Sequence, residues 1–269
     1  MPALITLTTD FGLRDPFVGI MKGVMLAINP QAELVDLSHQ IPSFDVWEGA
    51  LVLAQSYRHF PAGTIHLAVV DPGVGSARRP ILLSTKEAHF VGPDNGLFSL
   101  LYDREPSVAV RHLTAEHYFR QPVSHTFHGR DVFAPVAAWL STGVPPETFG
   151  HLIKDYVRLP DAQPERAPAG HVRGAVLRID KFGNVITNLR PEHFPAGAGF
   201  RLVINNRDVT RLATDYAEGR PGEIFAIVGS AGFVEIASHQ ASAAEVLGVG
   251  RGVEVRMLPG AGAGVGSRE

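Results

Sequence analysis

Thr64-Ile65-His66-Leu67-Ala68-Val69-Val70 runs straight into Asp71-Pro72-Gly73-Val74-Gly75. The run is continuously apolar after its first polar positions, which predicts a strand buried on both faces, as in the sheets of α/β proteins. Pro72 and the two glycines stop it in a loop. Working back from there, Glu33 to Leu37 is a short strand and Asp45 to Tyr57 an amphipathic helix. Before them, Phe17, Ile20, Met21, Val24, Met25 and Ile28 recur at helical spacing. Asp15-Pro16 opens that helix and Asn29-Pro30 closes it. Leu4 to Thr9 alternates apolar residues with Thr and meets Asp10-Phe11-Gly12, a first strand ending in a turn. Working forward, Ile81 to Ser84 and His89 to Val91 are strands, and Asp131 to Leu140 is a helix. This alternation predicts a layered α/β domain over residues 1–158. Its polar motifs fall where strands give way to loops, the place where such sheets bind ligands.

Beyond Thr142 the composition changes. Residues 159–170, rich in Pro, Ala and charge, read as a linker. Residues 171–269 then show short β-like runs and little helical periodicity. They predict a smaller, mostly β domain of sandwich or barrel type, with a Gly/Ala-rich tail at 260–269 that is expected to fray.

Composition removes several chemistries. The chain has 269 residues, a net charge of −3 and no cysteine. Disulfides, thiolate catalysis, cysteine zinc sites and iron–sulfur clusters are excluded. No Lys/Arg block suggests a nucleic-acid surface, and no apolar run is long enough to span a bilayer. The N-terminal residues lack the basic and apolar regions of a signal peptide, so a cytoplasmic protein is expected. Metal-ligand spacing, a Walker loop and a Gly-x-Ser-x-Gly elbow are all missing, so neither metal nor organic cofactor is expected.

Four segments concentrate polar groups beside Gly or Pro. In Thr8-Thr9-Asp10-Phe11-Gly12 the carboxylate at a strand end suits a vicinal diol, or merely caps a turn. In Asp71-Pro72-Gly73-Val74-Gly75-Ser76-Ala77-Arg78-Arg79 an acid and an Arg face each other across a glycine loop. The plain alternative is a surface ion pair on a hairpin, which is worth little. Ser124-His125-Thr126-Phe127-His128-Gly129-Arg130-Asp131 places a histidine before a helix, where it could position or deprotonate a water. His125 is the competing candidate. Asp180-Lys181-Phe182-Gly183-Asn184 offers a ring to stack and an amide for a heterocycle edge, or a simple turn between strands.

Together and in this order, with Gly92-Pro93-Asp94-Asn95-Gly96-Leu97 and Gly232-Phe233-Val234-Glu235-Ile236-Ala237, these motifs resemble the S-adenosyl-L-methionine (SAM) hydroxide adenosyltransferase family, the adenosine-forming SAM hydrolases. That family is related to the fluorinases and chlorinases. The resemblance implies hydrolysis of SAM to adenosine and methionine. It implies a homotrimer with active sites between the N-terminal domain of one subunit and the C-terminal domain of the next. The catalytic Asp, Arg and His fall on Asp71, Arg78 and His128, with Arg79 the neighbour a one-residue slip would select. Asp10 would bind the ribose hydroxyls and Phe44, where the halogenases carry Trp, would wall the pocket. Phe182 and Asn184 would hold adenine, Asp180 and Ser230 would lie near methionine, and Glu235 would contact ligand. The fluorinase has Tyr where this chain has Asp71, and a halide-holding Ser is replaced by Gly129. A carboxylate repels halide and can orient water. The alternatives are a halogenase of the same family and a non-catalytic SAM or adenosine binder, which would need no Asp71/Arg78/His128 set.

Overall fold

The computed structural model describes residues 3–160, 163–167, 171–195 and 199–260. The chain divides into two compact units, Met1–Pro160 and Asp161–Glu269.

The first unit is built on one sheet. Its strands are β1 (Leu4–Thr9), β2 (Glu33–Ser38), β3 (Thr64–Val69), β4 (Pro80–Ser84), β5 (Ala88–Pro93), β6 (Ala109–His112) and β7 (Leu152–Ile153). They lie in the order β2-β1-β3-β5-β4-β6-β7. The four strands β2, β1, β3 and β5 are parallel, and the rest continue antiparallel. β3 is central and buried at every residue, as its unbroken apolar run requires. Ile65, Leu67 and Val69 face α1 (Phe17–Ile28) and α4 (Ala134–Ser141). Ala68 and Val70 face the other way, into the cluster made with α2 (Val46–Ser56) and α3 (Ser99–Arg104). Fully burying a side chain such as Leu67 or Phe90 stabilises by roughly 1.5–3 kcal/mol. The layered α/β architecture is therefore present. Asp45 caps α2 by accepting from the Glu48 amide, and a turn of π-helix over Gly129–Phe133 leads into α4. The strands β6 and β7 and the helix α3 have no counterpart in the sequence expectation.

Among its described residues the second unit holds nine strands: β8 (Glu165–Arg166), β9 (Val172–Ile179), β10 (Val185–Thr187), β11 (Phe200–Ile204), β12 (Arg207–Val209), β13 (Leu212–Ala213), β14 (Ile224–Val228), β15 (Val234–Ser238) and β16 (Glu254–Pro259). Their path is β12-β11-β16-β9-β10-β15-β14-β13, with β8 beside β9. β12, at one end of the path, also touches β14 near the other. The sheet thus curls around a core that includes Val176, Val185, Leu202, Ile236 and Met257. This is the mostly β, barrel-like unit expected. Its described residues also include a short α-helix, α5 (Ala243–Leu247), capped by the Ser242 side chain and closed by Gly248 at φ 63°.

Within the stretch read as a linker, Leu159 donates to Ser99 and Glu165–Arg166 pairs with β9. Positions 161–162 and 168–170 of that stretch, and 261–269 of the tail, lie outside the described residues. Among the described residues no helix is long and apolar enough to cross a membrane.

Candidate active site

The parallel strands β1 and β3 end side by side, with Thr8 opposite Ala68 and Thr9 opposite Val69. Asp10 and Asp71 therefore emerge at the same, carboxyl end of the parallel strands. Asn95 fixes the end of β3 by donating to the Val70 carbonyl at 2.8 Å. The loop after Asp71 then folds back, and Val74 and Ser76 donate to the carbonyls of Asp71 and Gly73. Gly75 sits at φ +79° against the His125 carbonyl, where any Cβ would overlap the oxygen. This close approach brings the Asp71 loop onto the segment that carries His128.

Arg78 joins the three groups. Its Nε donates to Asp71 Oδ1 at 3.0 Å and its Nη2 to Asp71 Oδ2. The same Nη2 lies 2.9 Å from His128 Nδ1. The guanidinium stands 5.1 Å over the Phe133 ring. The Arg78 and Asp71 side chains are only 7% and 5% exposed, so this is no surface hairpin pair. Nη1 of Arg78 is buried without a protein acceptor. Such a donor costs about 1–3 kcal/mol until something accepts from it. Burial, reinforced by the Arg78 charge, pushes the His128 imidazole below its ordinary value of 6.5, so the ring is neutral at pH 7.

The neighbouring Arg79 turns elsewhere. It donates to Asp94 at 2.9 and 2.7 Å and to Asp155 at 2.9 Å. Asp94 also accepts from the Val157 amide. The Gly92-Pro93-Asp94-Asn95 motif is thus the clasp that holds the Asp71 loop from behind.

Asp10 accepts from the Phe44 amide at 2.9 Å. Phe44 has φ 68°, a left-handed conformation costly for a bulky residue, and its side chain is 71% exposed. Phe11, Phe17 and Phe127 pack edge to face, with centroids 5.4–6.1 Å apart, and tie the Asp10 turn to the His128 segment.

The second unit carries a cleft of about 630 Å³. Its lining includes Asp180, Phe182, Asn184, Tyr216, Gln240 and Ser242. Asp180 organises the turn by accepting from the amides of Phe182 and Asn184 and from Asn184 Nδ2, all at 2.8–2.9 Å. That leaves Phe182 76% exposed as a stacking surface beside a buried Asn184. Ser230 stands exposed on the turn after β14, and neither it nor Glu235 is part of the lining. Glu235 sits one bond behind, accepting from the Tyr216 hydroxyl at 3.2 Å. Burial raises its carboxyl above the ordinary range.

Residues 5–150 match the model of the SAM hydroxide adenosyltransferase N-terminal domain, and residues 174–256 match that of the C-terminal domain. The chain belongs to the SAM hydroxide adenosyltransferase family. It is similar to the (R)-S-adenosyl-L-methionine hydrolase of Salinispora tropica, at 39% identity over 95% of this chain and 98% of that protein. The protein of the same name from Thermus thermophilus is 40% identical over 93% and 97%. A fluorinase of an Actinoplanes species is more distant, at 26% identity over 90% and 94%. Among solved structures, an uncharacterised conserved protein from Thermotoga maritima superposes with a TM-score of 0.88 at 34% identity, covering 94% of this chain and 99% of that one.

For this family member, sequence reasoning missed Tyr216, Gln240 and Ser242. Tyr216 and Gln240 lie in turns with no motif around them. Ser242 had a usable signal, because Ser242 and Glu245 stand at capping-box spacing ahead of an apolar pair.

Proposed function

We propose that this chain hydrolyses SAM to adenosine and L-methionine by in-line attack of water on C5′. Relatives that bear the hydrolase name match 91–95% of it, at 33–40% identity. The observation that carries the mechanism is the buried Arg78 fork. It holds Asp71 and His128 together and keeps one further donor, Nη1, without a protein acceptor.

The sulfonium of SAM makes methionine a neutral leaving group. The C5′–S bond breaks with its electrons on sulfur, so no general acid, metal or organic cofactor is needed. The enzyme must supply an oxygen in line, about 3–3.5 Å from C5′. Arg78 can only donate, so His128 Nδ1 must accept. The neutral ring then carries its hydrogen on Nε2 and offers a second donor. With His128 Nδ1 occupied by Arg78, Asp71 is the acceptor of the three left to the water, and it takes the proton as the C5′–O bond forms. A water has two lone pairs and could serve only one donor while attacking. As its proton leaves, the oxygen gains a third, and Arg78, His128 and C5′ can all be served. The charge that develops is met by a fixed guanidinium in a largely buried setting.

Asp10 binds the ribose diol with the oxygen that Phe44 does not occupy. Phe44 walls the pocket. Phe182 stacks on adenine, Asn184 reads its edge, and Asp180 and Ser230 lie toward methionine. The enzyme is a homotrimer in which the N-terminal unit of one subunit meets the C-terminal unit of its neighbour. It acts in the cytoplasm, where SAM is made and used. Asp71→Ala, which removes the proton acceptor, and His128→Ala, which removes a donor to the developing charge, are each expected to lower turnover at least about a hundredfold, while SAM still binds by calorimetry. Wild-type rates of adenosine release in both variants would refute the assignment.

A further inference from the structure

We propose that His39 is a positioning residue that sets the Asp10 turn through a relay running from Lys22 and Asp36 at the surface to the buried Thr9. Lys22 Nζ lies 2.6 Å from Asp36 Oδ2. Asp36 Oδ1 lies 2.9 Å from His39 Nε2, and His39 Nδ1 lies 2.8 Å from Thr9 Oγ1. The Phe11 amide donates to that same Thr9 oxygen at 3.2 Å. The Gly12 amide donates to the His39 carbonyl at 2.8 Å. Thr9 is 0% exposed and His39 4%.

His39 Nε2 stands at ion-pair distance from the Asp36 carboxylate. In the tautomer with its hydrogen on Nε2, Nδ1 accepts from the Thr9 hydroxyl. The remaining lone pairs on Thr9 face the Phe11 amide. Burial alone would raise the Asp36 carboxyl, but hydrogen bonds from Lys22 and His39 outweigh it and hold it below the ordinary value, so the head of the relay stays charged. The residues on both sides of Asp10 are thereby tied down, and its own Oδ2 is held by Phe44. A register shift between β1 and β2 contributes: Leu7 faces Asp36 but Thr8 faces Ser38, which delivers His39 to Thr9. The order Asp, His, hydroxyl is that of a nucleophile triad, but Thr9 has no exposed surface, so its role is orientation.

The proposal rests on Asp10 binding the ribose diol, and its test separates the two ideas. Calorimetry would compare adenosine with 2′,3′-dideoxyadenosine, which lacks the diol. Wild type is expected to prefer adenosine. His39→Leu should weaken adenosine binding by on the order of tenfold, the scale of one hydrogen bond to a charged group, and leave dideoxyadenosine unchanged. Thr9→Val, nearly isosteric, should repeat that loss if His39→Leu does not fold. His39→Asn, whose carbonyl can accept from Thr9, should restore much of the preference. Equal weakening of both ligands, or of neither, in the His39 and Thr9 variants overturns the relay. An unchanged preference in Asp10→Ala overturns the diol assignment and the relay with it. If Asp10→Ala removes the preference and His39→Leu does not, only the relay fails.

Discussion

A guanidinium has no lone pair to offer, and at His128 that single fact fixes the state of the ring. Nδ1 must accept from Arg78, and a second proton on the ring would break the contact at 2.9 Å. The proposed mechanism therefore needs His128 neutral. Burial and the Arg78 charge lower its pKa below 6.5, which keeps it neutral over more of the acid range than a free histidine. The sign follows: activity is retained above the depressed pKa and lost as pH falls through it. A profile of kcat/KM against pH should show an acid limb with its midpoint below 6.5. His128→Asn, which keeps an acceptor for Arg78 but does not titrate, should shift that limb to lower pH. A midpoint at or above 6.5 in wild type would contradict a neutral His128. The adjacent Arg79 shows what the sequence could not resolve. Two arginines side by side have the same chemistry on paper, and only the fold sends one to Asp71 and the other to Asp94 and Asp155.

Among elements, β3 carries a polar group with no part in the reaction. His66 is 0% exposed, bonded to Thr6 at 2.7 Å and stacked on Phe90 at 4.9 Å. Burial depresses its pKa from 6.5 to about 4. The unfolded chain therefore binds a proton that the folded one refuses, and stability falls as pH drops from 6.5 toward 4. At 1.36 kcal/mol per unit, the full effect is about 3 kcal/mol. Urea denaturation of wild type and His66→Gln at pH 7 and pH 4.5 should show a smaller acid loss in the variant; equal losses would assign the effect to other groups. The elements that were legible in the sequence had sharp ends. α1 spans Phe17–Ile28 because Asp15-Pro16 and Asn29-Pro30 bracket it, and β1 ends where Asp10-Phe11-Gly12 begins. β7, with two residues, and α3, with six, are too short to show a period. They form because the sheet edge and the α2 layer offer them partners. The π-helical turn at Gly129–Phe133 likewise has no local signature, and depends on Asp131 being buried among Arg120, Arg130 and the Ser124 amide.

For the whole molecule, the chain places its chemistry in two units. Asp10, Phe44, Asp71, Arg78 and His128 lie around the carboxyl ends of β1 and β3 in the first, and Asp180, Phe182 and Asn184 line a cleft in the second. Asp10, Asp71, Arg78, His128, Asp180, Phe182 and Asn184 were visible in the sequence because each lies in a short polar segment beside Gly or Pro, whereas Phe44 stood out only through the family resemblance. What was not visible was the surroundings, such as Tyr216 and Gln240, which come from turns far apart in the chain. Asp71 and Arg78 form a buried pair, and under the proposed mechanism its carboxylate disfavours an incoming halide and accepts a proton from water. The most direct test is to incubate the purified protein with SAM and excess chloride or fluoride in heavy-oxygen water, and to weigh the nucleoside product by mass spectrometry. Adenosine carrying one solvent oxygen at its 5′ position, released with methionine, is the predicted result. A 5′-halogenated adenosine, or adenosine without the solvent label, would contradict it.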